Sequence, residues 1–270
     1  MSTHAIAVTG AGSTVVGATT LIGAGITLPA GGPWLIHHIW GQVAKVTTAA
    51  NEGSGGDLLV RSVSGDIDPD IAPGVYPLVG SPIAQGATPS TSENPLNLWP
   101  VDWQGAGKAV LSLSYRNRLA ITTASMIAAG VIFGTERPEV KPLKFCDGVF
   151  ASFASALEQQ IGTITLSEKA TRIVGICADL NKGDALTSGE EVMATIRLDS
   201  ADVKLPPSQY PCNRAFNAAL GAAIGQAGGT PTNFIPVNID VIGGSRINIF
   251  ATTTRSVTGN ADLSVYLAYE

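Results

Sequence analysis

Short runs in which apolar and polar residues alternate recur along the whole chain. Near the C-terminus, Leu263, Val265 and Leu267 alternate with Ser264 and Tyr266. A period of two places successive side chains on opposite faces of a β-strand, so such a run predicts a strand with one face toward a core. Three other segments alternate in the same way: residues 111–115, 192–198 and 237–241.

Glycine and proline separate these runs at short intervals. Such turn signals occur at residues 29–32, 53–56, 73–74 and 243–244. Many short strands with regular turns between them are typical of an antiparallel β-sandwich. The segment 34–40 is apolar almost throughout, and we therefore expect its strand to lie beneath another layer.

Two segments depart from the period of two. In residues 214–226, Phe216, Leu220 and Ile224 are spaced by four, which predicts a short helix with one apolar stripe. Residues 149–160 form a second helix candidate. We expect the first helix to lie in a long loop of the second half of the chain.

The second half of the chain repeats the pattern of the first. Residues 97–103 (Asn-Leu-Trp-Pro-Val-Asp-Trp) match residues 233–239 (Asn-Phe-Ile-Pro-Val-Asn-Ile), and 233 − 97 = 136. Because this period exceeds the roughly 20–50 residues of solenoid repeats, each copy is predicted to be a duplicated domain. Further matches follow in the same order, at offsets of 138, 136, 134 and 136: Ile26 with Ile164, Val60-Arg61 with Ile196-Arg197, Tyr76-Pro77 with Tyr210-Pro211, and Leu111 with Ile247.

The repeat divides the 270 residues into two units of ordinary domain size. Residues 136–144 are charged, contain Pro138 and Pro142, and are predicted to be an extended linker. We assign residues 1–137 to the first domain, 138–146 to the linker and 147–270 to the second domain.

Charge is sparse in this chain. Asp, Glu, Lys and Arg make up 14% of the residues, the net charge is −5, and lysine and arginine form no cluster. Binding to a nucleic-acid surface needs a basic footprint, so we expect no direct contact with nucleic acid. The uncharged stretch before Lys45 is broken by glycines and has no basic start, which predicts neither a signal peptide nor a transmembrane segment.

The three cysteines are odd in number and far apart in the chain. Cys146, Cys177 and Cys212 fit neither a disulfide framework nor a zinc site with paired Cys-x-x-Cys motifs. We expect them to be small buried apolar residues in a reduced protein.

The clearest candidate for a cofactor-binding motif lies near the N-terminus. Residues 7–13 (Ala-Val-Thr-Gly-Ala-Gly-Ser) resemble the glycine turn that holds a pyrophosphate in dinucleotide-binding proteins. The next glycine is Gly17, so the spacing does not fit, and the residues that follow are poor helix formers. We expect no cofactor.

Metal ligands are equally scarce. His37 and His38 are adjacent, so on a regular strand they should point to opposite faces, and we expect His4 to lie in a flexible terminus. Asp66, Asp68 and Asp70 alternate and could gather as oxygen ligands, but the second copy keeps only Asp202, which favours a solvated turn. We therefore predict no catalytic, cofactor-binding or metal site.

Tandem β-sandwiches with a shared long loop after a late strand resemble the double jelly-roll capsid proteins of icosahedral DNA viruses, the group of adenovirus and the tailless membrane-containing phages. The resemblance covers nearly the whole chain, but it is architectural and carries no site residues over. It implies two antiparallel jelly-roll domains. It also implies a homotrimer that forms a pseudo-hexagonal capsomer of an icosahedral capsid.

The resemblance further implies where such a protein acts and with what. Its partners would be other copies of itself and virion proteins such as penton or minor capsid proteins. It would be made in the host cytoplasm and would reside in the virion. The matched loops, residues 82–94 and 212–232, would form an outward tower or the subunit contacts.

Two other functions fit the same β composition. A tandem carbohydrate-binding protein of lectin type would present aromatic and amide or carboxylate groups on an exposed face. An enzyme on a double β-sandwich needs a metal or an acid–base cluster. With only three histidines, the metal-dependent bicupin is the least compatible version, whereas an acid–base enzyme without metal stays open. We expect a structural protein rather than an enzyme.

Overall fold

All regular structure in the described chain is β-strand, as the alternation predicts. No helix in this part of the chain is long and apolar enough to cross a membrane. The computed structural model describes these residues: 3–45, 55–64, 67, 74–79, 97–118, 124–136, 141–153, 156–183, 190–192, 194–212, 216–218, 225–226, 234–253 and 261–270.

The first half of the chain forms two antiparallel sheets. Sheet A has the strand order β1-β9-β4-β7, and sheet B has the order β2-β8-β5-β6, with β3 also paired to β8. The strands are β1 (Thr3–Ala11), β2 (Thr19–Leu21), β3 (Ile26–Thr27), β4 (Trp34–Lys45), β5 (Gly55–Ser62), β6 (Gly74–Val79), β7 (Asn97–Gly105), β8 (Val110–Asn117) and β9 (Ser125–Gly134).

The second half builds the same two sheets and one small extra sheet. Sheet C has the order β10-β21-β13-β19, with β11 also paired to β21; sheet D has the order β12-β20-β15-β16; sheet E has the order β14-β17-β18. The strands are β10 (Lys144–Phe145), β11 (Val149–Phe153), β12 (Gln159–Thr165), β13 (Arg172–Gly183), β14 (Glu190–Val192), β15 (Ala194–Asp199), β16 (Gln209–Pro211), β17 (Phe216–Ala218), β18 (Gly225–Gln226), β19 (Phe234–Asp240), β20 (Arg246–Thr253) and β21 (Ala261–Tyr269).

Sheets A and C correspond strand for strand, and so do sheets B and D. In each half the first, eighth, third and sixth strands of an eight-stranded roll form one sheet, and the second, seventh, fourth and fifth form the other. This is the jelly-roll order. The chain is thus an all-β protein of two tandem jelly rolls, as predicted. β10 lies within residues 138–146, where the sequence predicts the linker.

The two halves share an irregularity as well as an order. β4 carries a β-bulge between Ile36 and His38, and β13 carries one between Ile173 and Gly175. Ile36 pairs with Phe133 and Ile173 pairs with Tyr269, which occupy equivalent places on β9 and β21. Because the extra residue lies at the same point of both rolls, β4 and β13 stay aligned with each other on both sides of the bulge.

In one strand, the residues that are equivalent in the two halves of the structure differ from those that the sequence match aligns. The sequence aligns Val60 with Ile196, but Val60 pairs with Leu113 whereas Leu198 pairs with Ile249. Because Leu113 and Ile249 are equivalent, Val60 corresponds to Leu198. The shift of two residues preserves the face of every side chain, so both alignments satisfy the same apolar pattern.

Each domain has its own core between its two sheets. Leu111, Leu113 and Tyr115 on β8 point inward and are fully buried, while Ser112 and Ser114 alternate outward, as predicted. The prediction that residues 34–40 lie under a further layer is wrong for the described chain. Ile36 and Ile39 are buried in the core, but the outward residues of this strand are only half-buried.

Neither predicted helix is present in the described residues. Phe216–Ala218 and Gly225–Gln226 are strands, and β17 pairs with β14 as well as with β18. Residues 149–160 contain β11 and the start of β12 instead of a helix. At Phe216–Ala218 and Gly225–Gln226, strand pairing outweighs a weak helical pattern, because tertiary contacts outweigh propensity. The loop at residues 82–94 lies outside the described residues.

Candidate functional site: the interface between the two domains

The central strand β21 of sheet C is buried on both faces. On β21, Leu263, Val265 and Leu267 belong to the core of the second domain. The alternate residues Tyr266 and Ala268 point the other way and join the core of the first domain. The period of two thus lets one strand serve two cores, and the two domains share a continuous apolar interface.

An aromatic side chain from the second domain closes the edge of the first. Phe145 on β10 is 7% exposed, and its ring centroid lies 4.9 Å from that of Trp99 on β7 and 6.1 Å from that of Tyr76 on β6. Trp99 Nε1 donates a hydrogen bond to the carbonyl oxygen of Pro77 at 2.9 Å, which ties β7 to β6. The β6/β7 edge of the first domain is therefore the surface that receives sheet C.

A buried carboxylate lies beside this apolar contact. Asp57 on β5 is fully buried, and its Oδ2 accepts hydrogen bonds from Arg116 Nε at 2.5 Å and Arg118 Nε at 2.8 Å. The hydroxyl of Tyr266 donates to Oδ1 at 2.6 Å and also lies 3.0 Å from the carbonyl oxygen of Gly56. A buried charge needs such partners, because desolvation without them costs several kcal/mol.

The same two arginines reach a carboxylate of the second domain. Arg116 Nη2 and Arg118 Nη2 donate to Asp147 Oδ1 at 2.5 and 2.6 Å, and the Arg118 guanidinium lies 4.9 Å from the centre of the Phe150 ring. Two positive and two negative side chains therefore form one neutral cluster across the interface. Arg116 Nη1 also donates to Asp147 Oδ2 at 3.3 Å, so the contact between Arg116 and Asp147 is bidentate and fixes orientation as well as distance.

The electrostatic environment keeps Tyr266 and Arg116 in one protonation state each. Burial, followed by the negative charge of Asp57, raises the pKa of Tyr266 well above its ordinary value, so its hydroxyl stays protonated. Burial lowers the pKa of Arg116, but the carboxylates of Asp57 and Asp147 outweigh it, and the net shift is upward.

The cluster suits a structural role better than acid–base chemistry. A general acid or base must be within reach of a substrate proton. Asp57 has no exposed surface, and both of its oxygens are already bonded to Arg116, Arg118 and Tyr266. The arrangement holds the two domains in one orientation.

The histidines differ from their prediction in two ways. Because the bulge in β4 follows Ile36, Ile36 and Ile39 both face the core and His37 and His38 both lie on the outer side, so their predicted opposite orientation is wrong. Burial, followed by the nearby His37, lowers the pKa of His38. His4 is not in a flexible terminus but on β1, and its ring stacks on that of Phe133 at 5.5 Å between centroids.

The acidic candidates do not form a metal site in the described chain. Asp66, Asp68 and Asp70 lie outside the described residues. Asp202 closes a turn, since its Oδ2 accepts a hydrogen bond from the backbone N–H of Arg246 at 2.9 Å. Among the described residues, no group of three or more His, Cys, Asp and Glu side chains could hold a metal ion.

The glycine motif forms no phosphate-binding turn. Gly10 lies on β1, and the backbone N–H of Gly12 donates to the carbonyl oxygen of Ser125 at 2.8 Å. A Cβ at Gly12 would come within 2.8 Å of the Tyr115 ring, so this glycine is needed for packing. A turn and β2 follow it, where a dinucleotide site requires a helix.

The burial of two of the three cysteines agrees with the prediction. All three are free thiols; Cys146 and Cys177 are buried and Cys212 is partly buried. Burial raises the pKa of Cys146 to about 11 and raises that of Cys177 further. Such thiols pack as small apolar side chains.

The sequence did not predict the interdomain cluster. Its members are separated by up to 209 positions, as for Asp57 and Tyr266, and no short motif connects them. One signal was present: Asp57 stands directly before the apolar run 58–60 in a chain poor in charge, where an acidic residue needs a partner.

Comparisons with known proteins show likeness of fold alone. No protein-family model and no curated protein sequence matches the chain. Among solved structures, the STIV major capsid protein is 11% identical with a TM-score of 0.42, covering 100% of this chain and 97% of that one. PNGF-II is 10% identical with a TM-score of 0.38, covering 93% of this chain, which spans 59% of PNGF-II. PNGase F, an N-glycanase, is 11% identical with a TM-score of 0.35, covering 98% of this chain and 96% of that one.

Proposed function

We propose that this chain is a structural subunit of an icosahedral virus capsid, and that three copies form a tile of six similar domains. The observation that carries the proposal is the packing of two equivalent jelly rolls through unlike surfaces. The outer face of sheet C contacts the β6/β7 edge of the first domain.

A contact between two different surfaces is heterologous, and the same contact can form again between further copies of the domain. Each domain has both surfaces, so among the described residues the pair leaves the outer face of sheet A and the edge at β16 and β19 without an equivalent contact. Heterologous contacts close into a ring when the rotation between neighbours allows it. A ring of six domains from three chains has threefold symmetry and a nearly hexagonal outline, which fits a lattice of hexagonal tiles.

The two halves support an origin by duplication. They share strand order, the position of a bulge and the matched segments 97–103 and 233–239. The low charge content also suits assembly, because few charges must lose water when subunits meet edge to edge.

The rest of the proposal follows from this role. The partners are other copies of the chain, first in the trimer and then in the lattice, together with virion proteins such as penton or minor capsid proteins. The protein is made in the host cytoplasm and resides in the virion. It has no catalytic activity and makes no direct contact with the genome.

Light scattering on the purified protein, with negative-stain images of the same fraction, tests the proposal. We expect a mass of three 27.6 kDa chains and a six-lobed outline, or closed shells. A protein that stays monomeric as its concentration rises contradicts the proposal. A glycan array would then test the alternative of a tandem carbohydrate-binding protein.

A further inference from the structure

We propose that the outer face of sheet A is a subunit contact that receives the β16/β19 edge of a second copy of this chain. The inference rests on the proposed function, because it assigns residues to the ring of domains. We call this surface the receiving face and define it by residues that point away from the first core: Ala5, Ala7, Trp40, Leu98, Ala128 and Ile132.

The receiving face corresponds, position by position, to the part of sheet C that the first domain covers. The shared registers make Ile132 equivalent to Ala268 and Leu98 equivalent to Phe234. Ala268 is 0% exposed in the interdomain contact, and Phe234 packs against the first core. Leu98, in contrast, is 37% exposed. The same surface is thus covered in one domain and open in the other.

The chemistry of the receiving face is that of an interface. Along β1 and β9 the outward residues include no charged side chain, and Met126 is 54% exposed, while β4 adds His37 and His38 to the outer side of the same sheet. A sheet face that meets water normally carries polar residues. An extended apolar face is typical of a contact surface. This also explains why residues 34–40 look like a strand beneath another layer although the described chain places none there.

At one equivalent cross-strand pair, each domain has one residue with a large aromatic ring. Cys177 on β13 pairs with Tyr266 on β21, and at the equivalent place Trp40 on β4 pairs with Gly130 on β9. A Cβ at Gly130 would lie 2.7 Å from the Trp40 ring, so this ring covers the glycine. The outer faces of sheets A and C therefore each present one aromatic ring at this pair. The ring comes from β4 in sheet A and from β21 in sheet C.

The proposed occupant has the features of the edge that sheet C already contacts. Tyr210 and Pro211 on β16 are equivalent to Tyr76 and Pro77 on β6. Tyr76 and Pro77 are buried at the interdomain contact, whereas Tyr210 is half-buried and Pro211 is exposed. The β16/β19 edge thus keeps an apolar character, and the described part of the chain leaves Pro211 exposed on it.

The contact between copies differs from the contact within the chain in its charge. The register places Thr195 where the first domain has Asp57, since they pair with Pro211 and Pro77 respectively. The contact between copies therefore lacks the buried carboxylate of the interdomain cluster. The two domains of one chain are held together by ion pairs, whereas two copies of the chain meet through an apolar surface.

Two arginine substitutions and a matched control test the assignment by light scattering. Leu98→Arg places a charge on the receiving face and Pro211→Arg places one on the β16/β19 edge. Leu21→Arg, at a 54% exposed position on the outer face of sheet B, is the control. We expect the first two variants to be monomers and the control to be a trimer like the unchanged protein.

Mixing the two variants tests the direction of the contact. Leu98→Arg keeps an intact edge and Pro211→Arg keeps an intact face, so an equal mixture should form dimers and stop there. If Leu98→Arg lowers the melting temperature, Ala5→Arg, at an exposed position, replaces it.

The outcomes separate this inference from the proposed function. Trimers of both folded variants overturn the assigned surface and leave the capsid role standing. Monomeric variants whose mixture forms no dimer overturn the pairing of this face with this edge. An unchanged protein that is monomeric at every concentration overturns the proposed function and the inference together.

Discussion

Replacing Asp57 with asparagine keeps the size of a fully buried side chain and removes its charge. Arg116 and Arg118 then face each other with only Asp147, whose side chain is 61% exposed, to balance them. Removing one partner of a buried ion pair costs roughly 3–5 kcal/mol. Because both arginine side chains are 19% exposed and retain Asp147, we expect the lower end, a loss of about 3 kcal/mol in the free energy of unfolding.

Urea unfolding at one fixed protein concentration measures this loss, since the free energy falls linearly with denaturant. Asp147→Asn is the matched control: it touches the same two arginines from an exposed position, and we expect it to cost less than about 1 kcal/mol. If Asp57→Asn costs no more than Asp147→Asn, the buried cluster does not stabilise the interface and the reasoning is refuted.

Three further predictions concern other buried groups. Phe145→Ala should cost roughly 3–5 kcal/mol, measured by urea unfolding, because it leaves a cavity between the domains. Burial raises the pKa of Tyr76, Tyr115 and Tyr266, so their contribution to stability should be complete below about pH 10 and fall above it. In a variant with the half-buried Tyr210 and Tyr269 replaced by phenylalanine, tyrosinate absorbance should rise only as the β signal in circular dichroism is lost. Early ionisation in folded protein would contradict this. In a Cys212→Ser variant, which removes the partly buried third thiol, Cys146 and Cys177 should not react with an aromatic disulfide at about pH 8 until the protein unfolds; rapid labelling of that variant in its native state would show that they are accessible.

Sequence reasoning worked best where the signal was local and repeated. Alternation over residues 111–115 predicted which side chains of β8 are buried, because strand geometry alone decides the face. It failed at residues 214–226, where Phe216, Leu220 and Ile224 suggest a helical stripe. Strand pairing with β14 is a contact between distant segments, and the stripe carries no information about it.

The sequence by itself determined that this protein is built of strands and that charge, histidine and cysteine are sparse, and its matched segments predicted two related halves. Those properties depend on neighbouring residues or on composition. Only the tertiary structure decided that the bulge turns His37 and His38 to one side, and that Asp57 meets Asp147 and Tyr266 through two arginines. These features depend on register and on pairing between distant strands, where one inserted residue changes which side chains meet.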